Sequence, residues 1–488
     1  MHRIICSNFS IPYTIIENPG SNIIPLTDFQ DEGKEMFDMR LGTKKVSMKA
    51  FYPAAVLLAF FACDTAAAQS YVGHSLDNYS GLHGLLVNPA AVVDTRQRAD
   101  INLLSVSAFG GSDYFSTDLS AVLKSDEGFN FDEATDLQVK DENQFFLNVD
   151  VLGPSAMFNL TPSSSLGLST RIRSFMNLNN VNGKLYESLE EGFDLEEDLD
   201  FEMRNFSETL HAWGEVGVTY GHVLVDGNRH FLKGGITLKY LQGAGATFAS
   251  TGDLSGQYSA GTSSLTATGS LQYGNTPGFD SDDINFEDPT AGFGADLGLI
   301  YEYRDARLPE APLRHSEYRF RLGLSITDIG SITYDGSSSS TYVTDGVSID
   351  TERFGEEDLE TILREEYEYT EEIGAIKISL PTALHLVLDY NFGNRFYTSL
   401  HGAVSLVGAS TQHASRIINT LTATPRYEAR WFSVYLPMSI RQYDGVAMGA
   451  GLRLGPLSIG SGSIITNYIS DESQTADIYV GLKIPIYR

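Results

Sequence analysis

Ala476–Arg488 reads ADIYVGLKIPIYR. Ile478, Val480, Leu482, Ile484 and Ile486 fall on one face of an extended chain; Asp477, Tyr479, Gly481, Lys483 and Pro485 fall on the other. A period of two puts successive side chains on opposite faces of a strand. One face is aliphatic and the other polar or small, so the stretch is either a half-buried soluble strand or the closing strand of a barrel that faces lipid outward. The rest of the chain decides between them. Leu166, Leu168, Thr170 and Ile172 alternate with Gly167, Ser169, Arg171 and Arg173, and two arginines on one face exclude a dry core unless they are paired. The same stripe recurs over Phe293–Tyr301, Phe320–Ile326, Leu384–Tyr390, Phe432–Ile440 and Val446–Leu454.

The connections alternate in length. Thr161–Ser164, Asp226–Asn228, Asn391–Asn394, Arg430 and Gly455–Pro456 are short, with Arg304–Ser316 the one longer member of that set; Lys124–Asn143, Val181–Leu210, Ser250–Pro289 and Asp335–Glu372 are long. A membrane barrel needs this alternation, with turns on the periplasmic side and loops outside, whereas a sandwich has no reason for it. Aromatic residues gather at strand ends (Tyr301, Tyr303, Tyr390, Phe392, Phe396, Tyr427, Trp431), where interface girdles belong. The fold expected is all-β, a transmembrane antiparallel barrel of about 14 strands. Its strands run from 112–124 through 394–409, 415–429 and 457–469 to 476–487. Ala99–Gly110 is left out because a fifteenth strand would break the even count, and a possible hairpin at 254–274 lies outside the membrane. Leu322, Leu324, Leu386 and Leu482 should meet hydrocarbon, and Ser325 should face a tolerant lumen.

Met48–Ser70, MKAFYPAAVLLAFFACDTAAAQS, has a basic start, a short apolar run and the small triplet Ala66–Ala68, the pattern of a cleaved secretory signal. The run is too short to span a membrane as a helix. Residues 1–47 lack signal character and are read as a mis-assigned or non-structural leader, 48–68 as signal peptide, 69–111 as an N-terminal hatch segment and 112–488 as the barrel. The first 68 residues carry 6 Lys+Arg and 7 Asp+Glu, leaving 27 basic and 56 acidic residues, a net charge of −29. So acidic a chain does not bind nucleic-acid phosphates. Both cysteines, Cys6 and Cys63, fall in the removed piece, which excludes disulfides and thiolate chemistry afterwards. The acid concentrates in the loops: Glu187–Glu208 holds ten acidic residues against one Arg, and Thr351–Glu372 ten against two. Solvated faces with short helices, such as Glu356–Tyr367, account for these runs.

No G-x-S-x-G, H-E-x-x-H or P-loop occurs, no cofactor or metal site is implied, and the chain is read as non-enzymatic. Asp194, Glu196, Asp198 and Asp200 alternate like calcium ligands, but Leu199 stands where the loop needs glycine. Arg171, Arg173, Arg319, Arg321, His385, Asp389 and His401 are expected to face the lumen and to pair there.

Asn88-Pro89-Ala90-Ala91 is the most specific short motif. Proline fixes φ and pushes the preceding Asn out of helix, which suits a turn packed on a wall. Its flanks (Leu85, Leu86, Val87, Val92, Val93) are too apolar for a free tail. An NPA-type element before the first strands resembles the long-chain fatty-acid transporter family of outer-membrane barrels and the barrels of the type IX secretion system. The resemblance implies a hatch folded into the lumen, with Asn88, Pro89, Ala90 and Ala91 at the gate. RFRLGLSITDIGSITY (319–334), ALHLVLDYNFG (383–393), TPRYEARWFSVYLPMSI (424–440) and GLRLGPLSIGSG (451–462) resemble an uncharacterised outer-membrane barrel family beside the type IX lineage. Two functions follow as expectations: passive uptake of a small apolar molecule, or a structural or binding role in secretion or surface assembly. The partners implied are outer-membrane lipid, a small apolar substrate and a secretion-system or surface partner.

Overall fold

A computed structural model describes residues 71–117, 135–191, 193, 195–277, 279, 290–304, 318–355, 357, 359–470 and 472–487. One antiparallel sheet runs round and closes on itself as a 14-strand barrel. Its strands are β1 (Gln97–Ser112), β2 (Asn143–Leu152 and Ser155–Thr161), β3 (Ser164–Val181), β4 (Leu199–Asp226) and β5 (His230–Ser259). Next come β6 (Ser264–Asn275 and Thr290–Arg304), β7 (Tyr318–Val343), β8 (Glu368–Ser379 and Ala383–Gly393), β9 (Phe396–Ser405) and β10 (Thr420–Glu428). The last are β11 (Phe432–Tyr435 and Met438–Arg441), β12 (Gly445–Met448 and Ala450–Leu454), β13 (Leu457–Ser461) and β14 (Thr475–Tyr487). β14 closes the ring on β1, from Gln97↔Tyr487 to Leu104↔Leu482.

The count matches expectation, but its first member does not. β1 is 97–112, paired with β14 on one edge and β2 on the other. Of the expected 112–124 strand, Phe115–Thr117 pairs with Thr135–Leu137 outside the barrel sheet, and 118–124 lies outside the described residues. The barrel therefore begins at Gln97 and not at 112. Parity favoured the wrong strand because both candidates alternate and only one could be kept. The 254–274 hairpin adds no strand. It continues β5 and β6 upward, and β6 resumes at Thr290 in the same place in the sheet. Residues 457–469 are not one strand either: β13 stops at Ser461 and Ile464–Ile469 is a helix. The acidic loops carry the helices Gly183–Glu191 and Leu359–Glu366.

The outer surface is an aliphatic belt. Leu322, Leu324, Leu386 and Leu482 are each about half exposed, as are Leu168, Ile172, Val218, Leu238 and Leu299. The inward neighbours Gly323, Ser325, Val387, Gly481 and Lys483 are buried. On β6 the outward face runs from Tyr303 to Phe293, a rise of ten residue steps, or about 33 Å of strand and about 25 Å of membrane at the usual tilt. Aromatic pairs ring the turn side: Tyr303–Phe320, Tyr390–Phe392, Phe396–Tyr427 and Trp431–Tyr487 have ring centroids 4.8–5.9 Å apart. Tyr240–Phe293 sits at the other rim.

Arginine at Leu324 should therefore cost about 2–4 kcal/mol at mid-bilayer, read from the temperature at which the unboiled, fast-migrating gel band disappears. Ser325, however, is 2% exposed, and its hydroxyl donates to the Val87 carbonyl at 2.6 Å. The lumen is filled there, so Ser325→Arg should also be damaging. Serine→alanine at 325 is the tolerant control, and equal losses for Leu324→Arg and Ser325→Ala would contradict a lipid-facing Leu324.

Candidate functional site

Residues 71–96 fill the turn-side half of the lumen. Tyr71, Leu82, Leu85, Ala90, Val92 and Val93 are buried, and Val87 is 7% exposed. The segment has a helical turn, Leu82–Leu85, and a 3₁₀ turn, Pro89–Val92. Asn88 is extended, as a residue before proline must be, and its Oδ1 accepts from the Ala90 amide at 3.0 Å. Its Nδ2 donates outward to the Leu299 and Leu324 carbonyls of β6 and β7, at 3.1 and 3.2 Å. The wall facing the turn is glycine. A Cβ at Gly298 would lie 2.8 Å from Asn88 Cγ, and one at Gly235 would lie 2.5 Å from the Pro89 carbonyl oxygen. The barrel is thus dented to receive the NPAA turn, with Ala90 buried and Ala91 beside a small cavity.

Charged side chains latch the plug around the turn-side mouth. Arg453 of β12 reaches Asp77 at 3.0 Å, and the Tyr435 hydroxyl of β11 donates to the same carboxylate. Asn78 donates to Glu428 at 2.8 Å and accepts from Arg321 at 2.9 Å. Lys233 of β5 donates to the Val93 carbonyl at 2.8 Å, Arg304 of β6 pairs with Asp94, and Lys483 of β14 donates to the Tyr79 and Ser80 carbonyls at 2.7 Å each. The plug is held from nearly every side by side-chain bonds, not by a shared ladder.

Above it lies a second layer of ion pairs. Arg171 bonds Asp150 and, at 2.9 Å, Glu215; Arg173 bonds Asp328 at 2.8 Å; Lys239 bridges Asp328 at 2.6 Å and Asp296 at 2.8 Å. Back at the mouth, beside the plug, Asp389 accepts from Arg426 at 2.6 Å, and Arg321 reaches Glu302 at 3.0 Å. His385 Nδ1 lies 3.1 Å from His401 Nε2, and His385 Nε2 lies 3.0 Å from the Thr327 hydroxyl. Six of the seven expected luminal groups face inward. Arg319 does not: a register shift at Tyr303/Arg304 turns Tyr318 inward and leaves Arg319 exposed outside, 5.3 Å from the Tyr390 ring.

Higher still, inward positions that are usually polar in such barrels are apolar. Phe175, Trp213, Leu241, Phe248, Ile332, Tyr334, Ile378 and Leu380 form one buried cluster, with Ile417 packed on it. Ile417 belongs to 406–419, a loop that turns into the barrel. Asn177 of β3 pairs both ways with the Arg416 backbone, at 2.9 and 3.1 Å, and Ser207 of β4 donates to the Ala409 carbonyl at 3.0 Å. The loop leaves β9 and reaches β3 and β4 on the opposite wall. Strands expected over 394–409 and 415–429 had absorbed it, although LVGASTQHASRIIN (406–419) lacks alternation.

Two cavities, about 70 and 100 Å³, flank the plug. The smaller lies among Asp77, Asn88, Arg96, Lys233, Arg321 and Asp389; the larger among Val87, Arg171, Arg173, Phe175, His385 and His401. Each has room for a few waters between the buried plug and its charged neighbours. Among the described residues no three metal-ligating side chains come together.

A closed barrel with an aliphatic belt, aromatic rims and a buried N-terminal plug defines a transmembrane β-barrel of the outer-membrane type. The chain belongs to a family of unknown function, DUF5723, whose model matches residues 89–462. No curated protein matches it in sequence. Three solved structures resemble it at low identity. The Pseudomonas putida toluene transporter TodX is 10% identical, with 86% of this chain and 97% of that one covered and a TM-score of 0.40. The Ralstonia pickettii toluene transporter TbuX gives 10%, 84%, 95% and 0.39, and a Pseudomonas aeruginosa FadL homologue 11%, 86%, 96% and 0.38.

Proposed function

We propose that the protein is an outer-membrane channel for passive uptake of a small apolar molecule, closed in this state by the 71–96 plug. The observation that carries the reading is the apolar layer at Phe175, Trp213, Leu241, Phe248 and Ile332, inside a lumen that a channel for polar solutes would line with polar groups. The plug supports it, since side-chain latches can be released without breaking the barrel ladder. Asn88, Pro89, Ala90 and Ala91 form the part of the plug seated in the glycine niche and act as the gate. The inward charges Arg171, Arg173, Arg321 and Asp389, with the His385–His401 pair, hold the closed state. The acidic loops face outward from the cell, and a signal peptide cut after Ala68 delivers the chain. The protein is not an enzyme in this reading.

A second reading is favoured by the dense ion pairing of the lumen: a shut barrel serving secretion or surface assembly, as type IX-associated barrels do. One experiment separates the two. Deleting 71–95 should leave an inserted, heat-modifiable barrel. Liposomes carrying it should swell faster in small sugars than liposomes carrying the intact chain. Cells with a lipopolysaccharide outer leaflet, which resists apolar solutes, should take up a small aromatic hydrocarbon faster. Unchanged permeability in both assays would end the channel reading and leave the assembly role.

A further inference from the structure

Strand β8 continues well above the membrane belt. Glu368–Ile378 pairs with β7, from Val343↔Glu368 to Ile332↔Ile378, beyond the Phe293 rim. Its other neighbour, β9, stops at Ser405, because residues 406–419 turn into the lumen. The departing loop takes the Ser379 backbone: Ser379 donates to the His413 carbonyl and accepts from the Ser415 amide, both at 3.0 Å. Above Ser379, and among the described residues, no strand pairs with this edge. Backbone groups alternate direction along a strand. Since Ser379 points away from β7, so do residues 369, 371, 373, 375 and 377, and their amides and carbonyls form an open ladder. Residues 368–375 are exposed on both faces, with Ile373 75% exposed.

Exposed edges of this length are usually shortened, covered or charged, since they template pairing with another chain. Here the charge has one sign. Glu368, Glu371 and Glu372 lie on the strand, and the connection before it, 351–367, adds seven acids against Arg353 and Arg364. Arg353 is engaged by Glu357 and Glu365, and Arg364 by Glu360 and, at 3.6 Å, by Glu371, which also accepts from the Ser338 hydroxyl. Glu368 and Glu372 have no ion pair among the described residues. A second copy of this chain would bring the same acids against themselves, and like charges across a strand pair destabilise it. We propose that the free edge of β8 captures an extended, basic segment of another protein by strand addition. That segment would carry lysine or arginine on the face of Glu368 and Glu372, with β-branched or aromatic side chains on the other face, beside Tyr369 and Ile373. The inference does not depend on whether the lumen conducts.

The test uses the full barrel in detergent and two short fluorescent peptides, one alternating lysine with valine and one alternating glutamate with valine. The lysine peptide should bind and the glutamate peptide should not. Ile373→Pro removes one free-edge amide and leaves the β7 ladder intact, which edge strands tolerate. It should weaken the lysine peptide about tenfold or more. Ala375→Pro, the next free-edge amide, serves if the unboiled gel band shows that the first variant has not folded. The double substitution Glu368→Lys, Glu372→Lys, which reverses the charge of one face, should reverse the preference between peptides. Three results would overturn the proposal: no binding of either peptide, lysine-peptide affinity unmoved by both prolines, or a dimer of the chain that the prolines abolish.

Discussion

Valine at Gly235 is expected to expel the NPAA turn from the wall and open the lumen while the barrel stays inserted. The Cβ it adds would sit 2.5 Å from the Pro89 carbonyl oxygen, with the Pro89 carbonyl carbon and the Ala90 amide equally close. These are backbone atoms of a turn held by proline, so no side chain can swing away. The strand itself accepts the change, because β-branched residues suit strands better than glycine does. The plug should become open to protease between residues 71 and 96, and sugar permeability should rise toward that of the 71–95 deletion. A variant as closed and protease-resistant as the parent would mean that the glycine niche does not seat the turn.

Removing the Asp77 carboxylate should loosen the plug at its other end. Asp77 holds Arg453 at 3.0 Å and accepts from Tyr435, all three fully buried, and Arg453 otherwise meets the Ala429 and Arg430 carbonyls and the Ser433 hydroxyl. Breaking a buried pair by taking one partner leaves an uncompensated charge and costs about 3–5 kcal/mol. Asp77→Ala should therefore lower the midpoint of urea unfolding in detergent. Adding Arg453→Met should recover part of the loss, since a buried pair replaced by apolar groups is often near neutral. If the double variant is no better than Asp77→Ala alone, the pair does not act as the latch.

The parts legible in the sequence were those set by local alternation. Ile478–Ile486 against Asp477–Lys483, and Leu168 and Ile172 against Arg171 and Arg173, announce two faces whatever the tertiary structure. Asn88 was readable because the residue before proline has few conformations, and its bond to Ala90 follows from that. The rest depended on distant parts of the chain. Arg319 misled because a single-residue register shift reverses a strand face, and alternation cannot report a bulge. The choice of 112–124 over 99–110 failed because strand count constrains a total and not its members. The 406–419 loop carries no period, but its place inside the barrel is set by Asn177, Ser207 and Ser379, far away in sequence. The niche at Gly235 and Gly298 was invisible for the same reason: a glycine in a strand signals close approach without naming what approaches.

Locking the plug in place tests its role most directly. A Cβ at Gly221 would lie 3.3 Å from Val93 Cβ, near the ~3.5–4.5 Å of a disulfide, but it would also overlap Val92 Cγ1, so Val92→Ala is introduced first to make room. No native cysteine lies beyond Cys63, so none competes within the barrel or plug. On the Val92→Ala background, Val93→Cys with Gly221→Cys should oxidise to an internal disulfide in the folded barrel. In cells with a lipopolysaccharide outer leaflet, oxidation should stop uptake of a small aromatic hydrocarbon, and a reductant should restore it to the level of the Val92→Ala chain without the cysteines. A disulfide that forms fully and leaves uptake unchanged would contradict the plug as the gate.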